Sequence, residues 1–361
     1  MLQYTPYPCF FELNNGLKQM LNLTATRYTP KTIYLYYSNK DKPDPYPKNV
    51  LLKLERAYKK YSKKAAPSIS VLKHELGLDD PVPIKYSING QPCGIIVDTK
   101  TKKRILLNAD GLAVCYTGPE NQLFLYRGQN TICDNKYQDG IKPCIPSVFR
   151  CKSKEECLLQ LKRTIQFERR IDELDEVKEW KKKSIQGYKY YINKPAISQH
   201  YGFVTNLLDV TSDFDVAAFF ATIEFKNNEM HACRDGVGVI YIMYSVSFLL
   251  SNPKELNKVE IVGEQPIPRP DEQSAYTIKM KQNEDLNKYD FVYRLLFKHR
   301  GVNSRKYLNQ FNNGIDLFPN NEISKKVQAI KKDILEQKEF TDNISNEAIK
   351  RYSEFFNNVC K

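Results

Sequence analysis

The sequence predicts an α+β fold: a compact mixed sheet core flanked by helices, preceded by a smaller α+β N-terminal region. Runs rich in β-branched and aromatic residues recur at Thr32–Tyr37, Ile84–Val97, Arg104–Tyr116, Leu123–Tyr126, Val204–Val210 and Gly236–Tyr244. Amphipathic or alanine-rich helical patterns stand among them, the longest from Ser153 to about Lys183. A turn-forming cluster, Thr117-Gly118-Pro119-Glu120-Asn121, separates the first strands from the rest. The chain has 361 residues, 41% of them hydrophobic, enough for a full core and more than one domain. The boundaries read as 1–117 for the N-terminal region, 118–335 for the central domain and 336–361 for a helical C-terminal tail.

In the N-terminal region, Val50 to Tyr61 sets Val50, Leu51, Leu54 and Tyr58 on one face of a helix. Pro81-Val82-Pro83 interrupts the chain, and Asn89-Gly90 marks a hairpin turn within the run Ile84–Val97. No chemical motif falls here. Target recognition and a cover over the second domain both fit this region.

The central domain opens with the short buried strand Leu123–Tyr126, which delivers Arg127-Gly128-Gln129 at its end. A guanidinium at the mouth of a buried strand is costly without an anion or carboxylate. Arg127 therefore reads either as the partner of an internal acid or as a bidentate phosphate clamp. Ser153 with Glu156 forms a capping box for the long helix, whose stripe runs Leu158, Leu161, Ile165, Ile171, Leu174 and Val177. Glu168 falls on that stripe and calls for a structural ion pair, with Arg127 or Arg150 as the cation.

Residues Gln199 to Ala221 organise the rest. Gly202 marks a sharp turn, and the strand Val204–Val210 leads into a helix built on Ala217, Ala218 and Ala221. Asp213 or Ser212 caps that helix, and its small residues let a neighbouring strand approach closely. His200, Thr205, Asp209 and Thr211 crowd around one turn, more polar chemistry than a core needs, so the site is expected here. Downstream, Gly236–Tyr244 reads as a buried strand and Val259–Val262 as a short one. Pro266-Ile267-Pro268-Arg269-Pro270 pins the loop bearing Asp271-Glu272-Gln273-Ser274. Asp290–Lys298 and Ser304–Phe311 read as helices, Gly314 ends the second, and residues 322–361 form a charged helical tail touching the core through Ile330, Ile334 and Phe340.

The formal charge of +13, from 55 basic and 42 acidic residues, keeps nucleic acid and other anions open as partners. The densest basic runs, Lys59-Lys60 with Lys63-Lys64 and Lys181-Lys182-Lys183, read as solvated helix faces. Nine cysteines cannot pair completely. Cys133, Cys144, Cys151 and Cys157 show no Cys-x-x-Cys pair, so reduced thiols in a cytoplasm, and no metal, are expected. Met1–Asn15 lacks a signal-peptide pattern, and the longest apolar run, Val237–Leu250, is too short and polar to span a bilayer. No Gly-x-Gly-x-x-Gly follows a strand, which speaks against a Rossmann mode of nucleotide binding. The Lys-, Asn-, Ile- and Tyr-rich composition points to an AT-rich bacterial or phage genome.

Taken together, Tyr126-Arg127-Gly128-Gln129, Ile145-Pro146-Ser147-Val148-Phe149-Arg150, and Gln199-His200-Tyr201-Gly202 with Thr205-Asn206-Leu207-Leu208-Asp209 resemble the FRG-domain family. Arg269 with Gln273, and Gly314-Ile315 with Leu317-Phe318-Pro319, fit its C-terminal half. The resemblance covers roughly residues 120–335. It departs in lacking a Trp near Val210 and in carrying Ser274 where the family has a Gly nearby.

The layout of that family is in turn similar to that of ADP-ribosyltransferases: a first strand with a site Arg, a second strand leading into an alanine-rich helix, and a later element with a Glu. This likeness implies NAD as substrate. Glu272 would stabilise the positive ribose, and Gln273 stands beside it in the third element. Arg127 would hold the pyrophosphate. Thr205, Asp209 and Thr211 would position ribose and nicotinamide, with Gly128, Gln129 and Tyr201 completing the binding set. His200 would bond a ribose hydroxyl or tie two loops together.

The expected function is an NAD-dependent ADP-ribosyltransferase, a bacterial toxin or phage-defence effector acting on a protein or nucleic-acid acceptor, with an antidote or immunity protein as a further partner. The alternative is a nucleotide- or phosphate-binding module without chemistry, favoured if Gln273 takes the place of the expected Glu. A nuclease ranks third, because no Asp, Glu or His cluster has metal-ligand spacing.

Overall fold

A computed structural model describes residues 32–34, 86–88, 91–97, 103–107, 112–117, 124–132, 142–185, 187–226, 229–244, 258–289, 292–299 and 301–356. The expected helix at Val50–Tyr61, the break at Pro81–Pro83 and the turn at 118–121 lie outside these residues. The chain begins with β1 (Thr32–Tyr34), β2 (Tyr86–Ile88), β3 (Gln91–Val97), β4 (Lys103–Leu107), β5 (Leu112–Thr117) and β6 (Phe124–Gln129). Then come α1 (Lys154–Asp172), α2 (Asp175–Lys182), β7 (Ser184–Ile185), β8 (Tyr188–Tyr190), α3 (Lys194–His200), β9 (Leu207–Thr211) and α4 (Phe214–Thr222). β10 (Ile223–Lys226), β11 (Glu229–Ala232), β12 (Val237–Tyr244) and β13 (Val259–Ile261) lead to the one-turn α5 (Arg269–Glu272). β14 (Ala275–Lys279), β15 (Val292–Lys298), α6 (Gly301–Gln310), α7 (Glu322–Glu336) and α8 (Asp342–Phe356) close the chain.

The fold is mixed α+β, as expected. Its main sheet has the order β1-β15-β12-β6-β9-β14-β13, antiparallel except where β1 meets β15. β12 is apolar throughout because both of its faces are covered. Ile240 and Ile242 pack toward α4 and α6, with Tyr126, Ala217, Phe219, Phe297 and Tyr307. Tyr241 and Met243 pack on the opposite face, with Leu125, Leu208, Val210, Tyr276 and Leu286.

A second sheet runs β2-β3-β4-β5-β8-β7. Ile88 pairs with Gln91, the register of a two-residue connection, while the expected Asn89-Gly90 turn itself lies outside the described residues. This sheet draws strands from both sides of residue 117. β5 lies parallel to β8, pairing Leu112 with Lys189, and the Glu264 amide donates to the Cys115 carbonyl. β1 likewise joins the main sheet, so pairing continues across the expected boundary at 117/118.

Four local expectations change. The helix expected from Ser153 to Lys183 divides, because Leu174 is extended (ψ 137°) and α2 restarts at Asp175. The Ser153 hydroxyl accepts from the Glu156 amide, while the Glu156 carboxylate accepts from Lys152 N, one residue earlier than a capping box requires. Residues 292–298 form a strand, not a helix. β1 and β12 flank them on both sides, and that long-range pairing outweighs the local pattern. Glu168 is indeed in a buried ion pair, but with Arg351 of α8 rather than Arg127 or Arg150. The fork is bidentate, at 2.9 and 3.0 Å.

The C-terminal helices are part of the core. Val327, Ile330 and Ile334 of α7 pack with Phe167, Ile171 and Ile197, and Ile344 and Ala348 of α8 pack with Leu161 and Ile165. No described helix is long and apolar enough to cross a membrane.

Candidate functional site

The main sheet is forked. β6 shares six register pairs with β12 but only one, Tyr126–Thr211, with β9. Beyond that pair the two central strands part, and a cavity of about 200 Å³ lies between them. α4 backs it with Val216, Ala217 and Phe220, and His200 and Gln199 from the end of α3 form one wall. Gln273 and Phe318 complete the rim.

Local chemistry sets these pieces. Asp213 caps α4 by accepting from the Asp215 and Val216 amides. The helix then lies so close to β6 that a Cβ on Gly128 would fall 1.8 Å from the Ala217 carbonyl oxygen. Gly202 turns the chain out of α3 at φ 85°, a conformation few L side chains adopt. Ser274, near which the family resemblance expects a glycine, holds φ 44° between α5 and β14.

Within the fork, Arg127 donates Nη1 to the Asp209 backbone carbonyl, bridging the strands where their ladder has stopped. Its Nε is buried with no hydrogen-bond partner. Behind it, burial raises the Cys144 thiol and the Tyr241 phenol above their ordinary ranges. His200, 3% exposed, bonds Gln273 Oε1 through Nδ1 at 2.9 Å, and Gln273 Nε2 donates to the Leu317 carbonyl. His200 Nε2 faces Asp209 Oδ1 at 3.9 Å, too far for a hydrogen bond, and neither atom has a partner. Gln199 Oε1 accepts from the hydroxyls of Thr205 and Ser147, which ties the Ser147 motif to α3.

With this geometry in view, one comparison bears on the central part of the chain. Residues 122–230 match the family model of the FRG domain. This chain carries an FRG domain. No curated protein and no solved structure matches it. The matched segment of the FRG domain holds β6, α3, β9 and α4, hence most of the cavity wall. Gln273 and Phe318 lie beyond it and close the same cavity.

Of the expected site residues, the structure brings Arg127, Gly128, His200, Asp209, Thr211 and Gln273 to the cavity. It places Gln129, Tyr201, Thr205 and Glu272 elsewhere. Gln129 donates toward Cys144 on the opposite face of the sheet. Tyr201 is fully buried between Phe167 and Arg269. The Thr205 hydroxyl is occupied by Gln199 and by the Leu207 amide. Glu272 is exposed and does not line the cavity. Successive helical residues point about 100° apart, and at the end of α5 the inward place goes to Gln273, the residue that follows Glu272. Partial desolvation, with Asp271 and Asp316 nearby, raises the Glu272 carboxyl above its usual range.

Of the two partners expected for Arg127, no acidic side chain among the described residues pairs with it, and its Nε is left without a partner beside the cavity. Its Nη1 bonds a carbonyl. Sequence reasoning gave no role to Gln199, Phe220 or Phe318, although Gln199 and Phe318 sit inside motifs already singled out. Among the described residues no group of three His, Cys, Asp or Glu side chains is arranged to hold a metal.

Proposed function

We propose that this FRG domain is an NAD-dependent ADP-ribosyltransferase, acting as a bacterial toxin or defence effector on a protein or nucleic-acid acceptor. The observation that carries the proposal is the facing pair His200 Nε2 and Asp209 Oδ1. Because Gln273 Nε2 donates to Leu317 O, its Oε1 faces His200 Nδ1, which must then be the N–H. With the ring in its neutral form, Nε2 is left as an acceptor, opposite a carboxylate that is also an acceptor. Two buried acceptors facing one cavity call for a ligand rich in O–H donors. A ribose diol supplies two on adjacent carbons.

A ribose held there would bring its anomeric carbon within reach of Asp209. When the nicotinamide–ribose bond breaks, the bonding pair leaves with nicotinamide and positive charge develops on the sugar. The Asp209 carboxylate would offset that charge, the role the sequence assigned to Glu272. An acceptor nucleophile then takes the anomeric carbon and loses its proton. Arg127, by gripping the Asp209 backbone, would hold this carboxylate's strand in position. The fork of β6 and β9 with α4 behind it supports an ADP-ribosyltransferase-like layout.

Incubation of the purified chain with labelled NAD and cell lysate tests this. Label should pass to protein or nucleic acid with the wild type and fail to pass with Asp209→Asn. Release of free nicotinamide without transfer would redirect the activity to NAD hydrolysis. Neither NAD binding nor turnover by the wild type would overturn the proposal.

One observation favours a second reading, a nucleotide-binding module without chemistry. The amide of Gln273 occupies the wall where the transferase likeness expects a Glu, and an amide cannot balance a developing positive charge.

A further inference from the structure

Two cations meet at the turn that follows α3, beside the cavity wall. Arg269 lays its guanidinium over the rings of Tyr201 (4.3 Å) and Phe318 (5.0 Å) and donates Nη1 to the His200 carbonyl at 3.0 Å. Lys331 of α7 brings its Nζ to the same turn, 3.4 Å from where a Cβ on Gly202 would stand. Neither makes an ion pair among the described residues, and Arg269 Nε is buried without a hydrogen-bond partner. Two other buried cations among the described residues are matched: Lys258 holds Glu284, and Arg351 holds Glu168 and Glu347. Burial lowers the Lys331 ammonium below its usual range, and the charge of Arg269 lowers it further. Burial lowers Arg269 too, against an opposing contribution from Tyr201. Like charges sharing a desolvated turn are costly until an anion joins them.

We infer that Arg269 and Lys331 form an anion site that takes the phosphate or pyrophosphate of a nucleotide whose sugar lies in the adjoining cavity. The two sites share a wall, since His200 and Phe318 both line the cavity and both touch Arg269. A cavity of about 200 Å³ is smaller than the roughly 300–1,000 Å³ of sites that enclose drug-sized ligands, so a dinucleotide must extend beyond it. A planar guanidinium beside a compact ammonium suits phosphate oxygens. Glycine at position 202 keeps that turn open. The phosphates thereby pass from Arg127, where the sequence placed them, to Arg269 and Lys331. That the nucleotide is NAD rests on the proposal above; phosphate binding does not.

Calorimetric titration of the full chain separates the two ideas. Inorganic pyrophosphate should bind the wild type, bind Lys331→Gln at least about tenfold more weakly, and bind Lys331→Arg nearly as well as the wild type. NAD should weaken with Lys331→Gln by a similar factor, while nicotinamide riboside, which has no phosphate, should not change. Matching thermal melts for the three proteins would exclude misfolding as the cause. Pyrophosphate that ignores the wild type, or binds Lys331→Gln equally, overturns the anion site. ADP-ribose binding no tighter than pyrophosphate overturns its link to the cavity. If pyrophosphate depends on Lys331 but NAD neither binds nor turns over, the anion site stands and the transferase proposal falls.

Discussion

Adding one methyl group at Gly128 tests whether the close seat of α4 on β6 builds the cavity. In Gly128→Ala the new Cβ would fall 1.8 Å from Ala217 O, 2.7 Å from Ala221 N and 2.8 Å from Ala217 C. Ordinary contact begins at 3.4 Å, so the helix must retreat by roughly 1.5 Å, since all three atoms belong to its backbone and none can rotate away. Overpacking of this kind costs about 1–3 kcal/mol where side chains adjust. With rigid backbone on the far side, a value of about 3 kcal/mol or more is expected. For a chain of 361 residues, at about 2.1 cal/mol/K of unfolding entropy per residue, that corresponds to a fall in Tm of about 4 °C. The same shift would move Val216, Ala217 and Phe220, so NAD or ADP-ribose binding should weaken in whatever fraction remains folded. Urea denaturation and a thermal melt read the first effect, and calorimetry the second. A variant with unchanged midpoint and unchanged binding would refute the idea that this contact sets the cavity.

Other parts of the molecule give independent checks. Arg351→Met strands the Glu168 carboxylate, only 10% exposed, and should cost about 3 kcal/mol in urea denaturation. The double replacement Glu168→Met with Arg351→Met should recover most of that loss, and failure to recover would point to packing rather than charge. Ser274→Gly should raise stability by about 0.5–1 kcal/mol, because glycine holds φ 44° without the clash serine suffers; a lower Tm would mean the serine side chain contributes more than its strain costs. Burial disfavours the Lys258 charge, but hydrogen bonds to Glu284 and Tyr289 outweigh it and push Lys258 up to about 12. A folded value above the unfolded one stabilises fully below about pH 10.5, the ordinary lysine value, and loses that contribution as pH rises through about 12. Lys258→Met should therefore show a flatter fall in stability across that window than the wild type, and identical slopes would remove Lys258 from the cause.

What the sequence made legible were the features fixed within a few residues. The Asp213 cap, the alanine face of α4, the Asn89-Gly90 hairpin spacing and the two-sided apolar run of β12 each depend on neighbours along the chain. Features decided across the fold were out of reach. The partner of Glu168 lies 183 positions away, and the strand at 292–298 owes its form to β1 and β12. The site divides along the same line. His200, Asp209 and Thr211 were visible as excess polarity around one turn, yet their roles hang on the fork between β6 and β9, which no local pattern encodes. Where a ladder stops, a carbonyl is freed, and Arg127 becomes a brace for Asp209 instead of a phosphate clamp. At the end of the one-turn α5 a phase of one residue turns Gln273 inward and Glu272 to solvent. That choice decides the chemistry. If the carboxylate that matters is on β9, Glu272→Gln should leave activity near wild type while Asp209→Asn abolishes it. The reverse outcome would mean that α5 rearranges around its ligand, because the His200–Gln273 contact would then have to break for Glu272 to enter.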